Sequence, residues 1–240
     1  MPSALTAADV VKAMDGTWMP RAMREIAGWT IRDGAGGGKR VSAATITTVG
    51  ARIEDAVAEM RGLGQTPLFM IRQGDLGLDQ ELAALGYGIV DPVVIYGRPV
   101  TSSDQTRAER NQVTRCQAPL RIIEEIWQAG GIGPQRLAVM DRTPGPKTYL
   151  LARSADRPAG VAFAAVSGDI AMVHAIEVLQ DCRRSGVGSR LLAEAFDWAR
   201  DTGANRLALA VTEANSGAIR LYQRLGMAPL GHYHYRIACE

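Results

Sequence analysis

The stretch Arg183-Arg184-Ser185-Gly186-Val187-Gly188 decides how the second half of this sequence folds. It follows the apolar segment Ile170 to Leu179, which predicts a buried strand, and it leads into a helical pattern from about Gly188 to Asp201. Glycines let successive backbone N–H groups point into one concavity, and the N-terminus of a helix favours an anion. The strand, loop and helix together predict a phosphate-binding turn.

Two familiar phosphate-binding loops do not match these glycines. The P-loop ends in Gly-Lys-Ser or Gly-Lys-Thr, and the dinucleotide fingerprint requires Gly-x-Gly-x-x-Gly. Arg183 and Arg184 could add charge-assisted hydrogen bonds to an anion. Taken alone, the stretch is more typical of an ordinary helix N-terminus, so its interpretation depends on what lies downstream.

A second segment lies downstream, Asn215-Ser-Gly-Ala218-Ile-Arg-Leu221-Tyr222-Gln-Arg-Leu-Gly226-Met227. At this separation, the two segments resemble the signature of the GCN5-related N-acetyltransferases (GNAT). The first resembles that family's pyrophosphate-binding loop, and the second its Asn-x-x-Ala-x-x-Leu-Tyr-x-x-x-Gly-hydrophobic segment. The resemblance covers roughly residues 105 to 240. It implies an α/β (α+β) fold with a mixed central sheet flanked by helices.

The resemblance also implies acetyl-CoA as the acyl donor. Its pyrophosphate would lie on the backbone N–H groups from Arg183 to Ser189, and Asn215 would bond its amide arm. Its pantetheine arm would pair like an extra strand with Ile176, Glu177 and Val178, where the family's strand carries a bulge and splays from the next one. A backbone N–H near Val178 would then polarise the thioester carbonyl.

Two side chains before the loop are candidate bases for a reaction in which a neutral amine attacks a thioester. Alkyl amines are mostly protonated at neutral pH, so a base, or a water chain to one, is useful. His174 and Glu177 are equal candidates, and in some members of the family a histidine at this position relays protons. Regular strand spacing places them on opposite faces, so both reach the cleft only if the strand bulges. A half-buried histidine and an ion-paired glutamate are the structural alternatives.

Tyr222 matches the family tyrosine whose hydroxyl protonates the leaving thiolate. A phenol with a pKa near about 10 is a competent donor to a thiolate with a pKa near about 8.5. The structural alternative is an aromatic side chain of the core. For Asn215 the alternative is a helix N-cap, which is compatible with a binding role.

The first half of the chain resembles a degenerate copy of the second. An offset of 140 places Leu85-Gly86-Tyr87 on Leu225-Gly226-Met227, while Asp75 and Leu82 stand where Asn215 and Tyr222 would be. We therefore expect a GNAT-like N-terminal domain, residues 1–104, that binds no cofactor and has a packing or substrate-shaping role, followed by an N-acetyltransferase domain, residues 105–240. A polar stretch, Gly97 to Ala118, is the expected linker. A chance match is the alternative.

The remaining sequence of the first half contains a glycine run, Asp33 to Gly38. It lies between two predicted strands, Gly28 to Arg32 and Arg40 to Thr47, and opens no helix. We therefore interpret it as a flexible hairpin loop and assign it no ligand.

Composition and charge exclude several classes of protein. The 240 residues carry 27 basic and 25 acidic side chains, a formal charge of +2, and 47% of them are hydrophobic. These values are typical of a globular chain and lack the broad basic field that binds nucleic acid. No stretch approaches the roughly 18 apolar residues of a membrane span, and no signal peptide is evident. We expect a cytoplasmic protein with no nucleic-acid or membrane partner.

Metal and disulfide chemistry is not expected. Cys116, Cys182 and Cys239 are widely spaced and lack the Cys-x-x-Cys pattern of zinc sites. His232 and His234 share one face of the last predicted strand, but a third ligand is not evident. One face of that strand, which also carries Tyr233 and Tyr235, is expected to line the acceptor cleft.

The sequence thus predicts an acetyl-CoA-dependent N-acetyltransferase that acts by direct attack on a primary amine, with a small molecule as the favoured acceptor. The alternatives are a protein N-terminal or lysine acetyltransferase, a donor with a longer acyl chain, and a non-catalytic CoA-binding or interaction module. The intact Tyr222 argues against the last of these. Either a monomer or a homodimer is compatible with the sequence.

Overall fold

The computed structural model describes residues 4–101 and 112–238. The helices are α1 Ala7–Thr17, α2 Ile53–Gly62, α3 Leu76–Ala84, α4 Arg121–Ala129, α5 Pro134–Arg142, α6 Val187–Asp201 and α7 Ser216–Arg224. The strands are β1 Ala22–Ile26, β2 Trp29–Asp33, β3 Thr45–Ile46, β4 Leu68–Arg72, β5 Tyr87–Pro99, β6 Val113–Cys116, β7 Lys147–Ser154, β8 Arg157–Ser167, β9 Ile170–Val178, β10 Arg206–Thr212 and β11 Ala228–Ala238.

Eight strands form one mixed sheet in the order β4-β11-β5-β10-β9-β8-β7-β6, and β1-β2-β3 form a smaller sheet beside it. Neighbours in the large sheet are antiparallel except β9 and β10, which are parallel. Side chains of α6 and α7 pack on one face, and those of α1, α4 and α5 on the other. This confirms the expected α/β fold, a mixed sheet flanked by helices.

Strands from the two halves of the chain interleave in the middle of the sheet. β5 lies between β10 and β11, and β11 lies between β4 and β5. Thr212 pairs with Val93, and Arg72 pairs with Tyr233, so shifting either pair by 140 positions produces the other. Val93 and Tyr233, themselves 140 positions apart, pair directly. The register of the four strands therefore has a local two-fold symmetry.

The helices that precede the central strands obey the same offset. α3 runs from residue 76 to 84 and α7 from 216 to 224. Each is followed by a leucine as the C-cap and then by a glycine with positive φ, 83° at Gly86 and 73° at Gly226. Leu82, the counterpart of Tyr222, is fully buried against α2 and β4. The offset seen in the sequence therefore extends to backbone geometry. The predicted domain boundary near residue 105 lies outside the described residues.

Two local predictions were wrong, and one strand was not predicted. The predicted strand Arg40 to Thr47 is a 3-10 turn, Lys39–Val41, followed by the two-residue β3, because Gly38 at φ 101° turns the chain. β1 was not predicted, since all five of its residues are exposed and show no alternation. The predicted linker Gly97 to Ala118 begins inside β5 and contains β6, and Arg98 is held there by pairing with β10 and by stacking 3.8 Å from the Phe196 ring.

Several features can be stated for the described part of the chain. None of its helices is both long enough and apolar enough to cross a membrane. Within residues 4–101 and 112–238 there is no cluster of three or more metal-ligating side chains. Cys116 and Cys182 are free thiols, and Cys239 lies outside the described residues.

The interleaved strands predict that neither half of the chain folds alone. A fragment of residues 105–240 would lack β5, so β10 would lose seven paired positions and β11 both of its neighbours. We expect this fragment to be insoluble or unfolded by circular dichroism, and co-expression with residues 1–104 to restore a soluble complex. The intact chain should show one cooperative thermal transition. Two separate transitions, or a fragment that melts cooperatively, would contradict this.

Candidate active site

The parallel pair β9 and β10 separates after a short contact. The pairing runs from Arg206 with Ile170 to Ala208 with Met172, whereas β9 continues to Val178. On the other side of β9, a bulge at Ala175, with φ 51°, sets two residues against one residue of β8. Beyond Met172, β9 therefore presents a backbone edge toward the gap. The predicted bulge and splay are confirmed.

The glycine loop turns the chain from β9 into α6. A 3-10 turn, Gln180–Cys182, follows β9 and was not predicted. Arg184 and Gly186 then adopt positive φ values of 61° and 84°, and Gly186 is the N-cap of α6. No described side chain caps this helix, so the N–H groups of its first turn remain available to a ligand. The Ser185 hydroxyl donates to the Cys182 carbonyl at 2.6 Å and closes the turn.

A cleft of about 530 Å³ opens between β9, the glycine loop and α7. It brings together all of the residues predicted to bind the cofactor except Ser185. Those lining it are Ile176, Glu177, Val178, Arg183, Arg184, Gly186, Val187, Gly188, Ser189, Asn215 and Tyr222. The structure thus gathers in one place two segments that the sequence separates by nearly thirty residues.

Asn215 and Tyr222 are held in the cleft by α7. The Asn215 side-chain oxygen accepts the Ala218 N–H at 3.1 Å, which confirms the N-cap and leaves the amide nitrogen for a second partner. Tyr222 is 6% exposed, and its ring lies 5.9 Å from that of Tyr96. Burial raises the pKa of the Tyr222 phenol to about 12, so the hydroxyl keeps its proton at neutral pH.

Glu177 borders the cleft on the side of α4. The Arg183 guanidinium donates to its Oε1 at 3.3 Å and to the Val178 carbonyl at 3.2 Å. A Cβ on Gly130 would lie 2.6 Å from Glu177 Cδ, so glycine at that position makes room for the carboxylate. Because of the bulge, Glu177 and His174 both face the side of the sheet that carries α1 and α4, although regular strand spacing would separate them.

His174 does not line this cleft. Its side chain forms part of the wall of a second cavity. Thr17 donates its hydroxyl proton to the Ala13 carbonyl at 2.8 Å, so it must accept from His174 Nε2 at 2.9 Å. Arg40, which can only donate, lies 3.1 Å from His174 Nδ1. His174 is therefore a neutral imidazole with its lone pair occupied. Burial, and then the charge of Arg40, hold its pKa well below the ordinary value.

The second cavity, about 240 Å³, lies beside the gap between β9 and β10. Arg40, which forms part of its wall, was not among the predicted site residues, and no ligand was expected at the loop that contributes Gly37 and Gly38. Tyr233 and Tyr235 also line it, as expected for one face of the last strand. The histidines of that strand point elsewhere, His232 to Glu213 at 3.2 Å and His234 to Asp79 at 2.8 Å.

Comparison with known proteins identifies the family. Residues 116–227 match the model of the acetyltransferase (GNAT) family. An aminoglycoside N(6')-acetyltransferase type 1 of Serratia marcescens is 30% identical over 115 residues, covering 43% of this chain and 78% of that protein. An uncharacterized N-acetyltransferase of Bacillus subtilis, YobR, is 28% identical over 119 residues, covering 48% of each chain.

A solved GCN5-related N-acetyltransferase from Kribbella flavida superposes with a TM-score of 0.73 at 20% identity, covering 99% of this chain and 97% of that one. At this identity the likeness concerns the fold, which extends over both halves. The chain belongs to the GNAT acetyltransferase family. The match to the Bacillus subtilis relative spans about half of that protein's length.

The neutral state of His174 predicts how stability depends on pH. Below pH 6.5, the ordinary pKa of histidine, His174 is protonated in the unfolded chain but stays neutral in the folded one. The free energy of unfolding therefore falls as the pH falls. The variant His174→Gln can still accept from Arg40 and donate to Thr17 but does not titrate. We expect the wild type to lose about 1 kcal/mol more than the variant between pH 6.5 and 5.5, measured by urea unfolding. Equal losses would contradict the neutral assignment.

Proposed function

We propose that the chain transfers an acetyl group from acetyl-CoA to the primary amine of a small molecule by direct attack. The observation that carries the proposal is the single cleft that joins a free strand edge, an uncapped helix N-terminus and the Tyr222 phenol. Each element suits a different part of the donor. A strand edge pairs with the amides of pantetheine, and a helix N-terminus binds pyrophosphate.

The residues of the cleft fit such a donor, whose thioester supplies the acetyl group. The N–H groups that follow Gly186 would hold the pyrophosphate. A Cβ on Gly188 would lie 3.0 Å from Leu221 Cδ2, so glycine at this position allows the start of α6 to lie close to α7 at the floor of the cleft. The amide nitrogen of Asn215 would donate to the pantetheine arm. The Arg183 side chain is 61% exposed, and its guanidinium could reach an anion by leaving Glu177 and the Val178 carbonyl.

For proton transfer we assign different roles to the two candidate bases. Glu177 borders the cleft as a carboxylate whose side chain is 21% exposed, so it can receive the amine proton directly or through water. The lone pair of His174 faces Arg40, which makes it a positioning residue for that arginine. Tyr222 stays protonated at neutral pH and can donate to the departing thiolate.

Two observations support a small-molecule acceptor over a protein. The second cavity adjoins the gap between β9 and β10 at Ala175 and Ala210, which is where an amine must approach the thioester. It is small, and part of its wall comes from the N-terminal half through Trp18, Lys39 and Arg40. A volume of about 240 Å³ suits a small molecule better than a segment of a folded protein. A non-catalytic CoA-binding module would not need the Tyr222 phenol in the cleft.

We further propose that the N-terminal half is a degenerate copy of the catalytic half. The shared offset of 140 in helix bounds and strand register supports a duplication. The copy has buried Leu82 in place of Tyr222, and Asp75 in place of Asn215 is engaged by Arg72 at 2.9 Å. It has no phenol at the position of Tyr222, and Arg72 holds the side chain that stands for Asn215, so its use is to shape the acceptor cavity.

Donor binding should depend on the glycine that begins α6. Gly186→Ala forces a side chain into a left-handed conformation and shifts the first-turn N–H groups, so we expect acetyl-CoA affinity to fall about tenfold or more by calorimetry. Gly203→Ala is the matched control. It has a similar φ, 82°, at the other end of α6 and no heavy atom within 4 Å of the added Cβ. Equal affinity in both variants, or no binding to the wild type, would contradict the assigned donor site.

Catalysis should depend on the hydroxyl of Tyr222. Tyr222→Phe keeps the ring against Tyr96 but removes the donor, so we expect kcat to fall about 100-fold while acetyl-CoA affinity stays unchanged. Tyr96→Phe, a similarly buried phenol outside the cleft, should keep wild-type kcat. Release of CoA thiol against a panel of amines is the measurement. Unchanged turnover in Tyr222→Phe would exclude the proton-donor role.

A further inference from the structure

The cavity beside His174 contains polar groups that the proposed transfer does not use. Tyr233 is 3% exposed, and its hydroxyl makes no hydrogen bond of acceptable geometry to any described residue, although Arg40 and Tyr235 are close to it. Arg40 Nε is buried and likewise has no partner in the described chain. Buried donors without partners are costly, and in native proteins they usually mark a ligand or water site. Both groups belong to side chains that line the same cavity.

The charges around the cavity are predominantly positive. Arg40 cannot lose its proton, and its neighbour His174 is neutral, so no counter-charge comes from that side. The cavity's one carboxylate among the described lining residues, Asp91, is bound by Lys39 at 2.9 Å. Arg136 adds a further cation at the exposed rim. An anion would therefore meet the Arg40 guanidinium, which has no carboxylate partner among the described residues, close to the Tyr233 phenol.

We infer that the acceptor is an amine that carries a carboxylate, such as an amino acid, an inference that rests on the proposed function. The carboxylate would bind the Arg40 guanidinium and, after a small movement of the cavity wall, the Tyr233 hydroxyl, while the amine would point toward Ala175 and the gap between β9 and β10. One buried cation and one neutral donor suit a monoanion better than a doubly charged phosphate. A polycationic acceptor such as an aminoglycoside would place ammonium groups beside Arg40 and Arg136, which is unfavourable.

Matched pairs of amines test the inference. Turnover of acetyl-CoA by the full chain would be measured with each common amino acid, with its α-amide, with ethanolamine phosphate and with an aminoglycoside. The amide is more easily deprotonated, so a preference for the acid cannot come from the reactivity of the amine. We expect kcat/KM for the acid to exceed that of its amide about 10- to 100-fold in the pairs that react.

The outcomes separate this inference from the proposed function. A preference for amides, for the phosphate or for the aminoglycoside would overturn the carboxylate assignment and leave the acetyl transfer standing. Acetyl-CoA binding without turnover of any amine in the panel would also overturn it. Failure to bind acetyl-CoA at all would overturn both.

Two variants locate the carboxylate. Tyr233→Phe removes a hydroxyl without a partner, so we expect the KM of the acceptor to rise about tenfold while the KM of acetyl-CoA and the melting temperature do not fall. Arg40→Gln should raise the acceptor KM about 10- to 100-fold, and Arg40→Lys should restore part of it. Arg24→Gln removes the same charge from an ion pair with Glu59, remote from the cavity, and serves as the control. Acceptor KM values that match the control in both variants would refute the site.

Discussion

The pairing of β5 with β11 is the constraint on which the rest of this molecule depends. These two strands, one from each half of the chain, lie side by side at the centre of the large sheet, with Val93 opposite Tyr233. β5 also pairs with β10 over seven positions, so the direction of β10 is set by the N-terminal half. β9 meets β10 over three positions and then diverges. The gap between β9 and β10 therefore depends on a strand that the C-terminal half of the chain does not itself contain.

The N-terminal half also contributes side chains to the wall of the second cavity. A Cβ on Gly37 would lie 2.6 Å from Val139 Cγ2, so the glycine loop packs closely on α5. This packing places Arg40 against His174 and beside Tyr233, three side chains that come from distant parts of the sequence. Close packing of the glycine run thus brings the Arg40 guanidinium to the cavity. The prediction of a flexible hairpin loop with no ligand did not include this contribution.

What the sequence could predict differs between the two cavities for a physical reason. The cleft beside the glycine loop is built from two contiguous segments, in which the order of glycines, Asn215 and Tyr222 reflects a local backbone geometry, and most of its lining residues were among those predicted to bind a cofactor. The second cavity combines Arg40, His174 and Tyr233 through tertiary contacts that leave no spacing pattern. The neutral state of His174 was equally hidden, because it follows from burial and from a tertiary contact with Arg40. The bulge at Ala175 could be expected from the resemblance, and the turn after Gly38 could not.

The two halves differ at strand ends that lie 140 positions apart. Arg72 ends β4 where Thr212 ends β10, since the two positions are 140 apart. Thr212 leaves the gap beside it open and lines the second cavity, whereas Arg72 donates to the Ile46 carbonyl of β3 at 2.6 Å and to Asp75 at 2.9 Å. One arginine thus links the end of β4 to β3 and also engages the residue at the position that corresponds to Asn215. In the N-terminal half this strand end is closed by an internal ion pair, whereas the gap between β9 and β10 stays open beside Arg40.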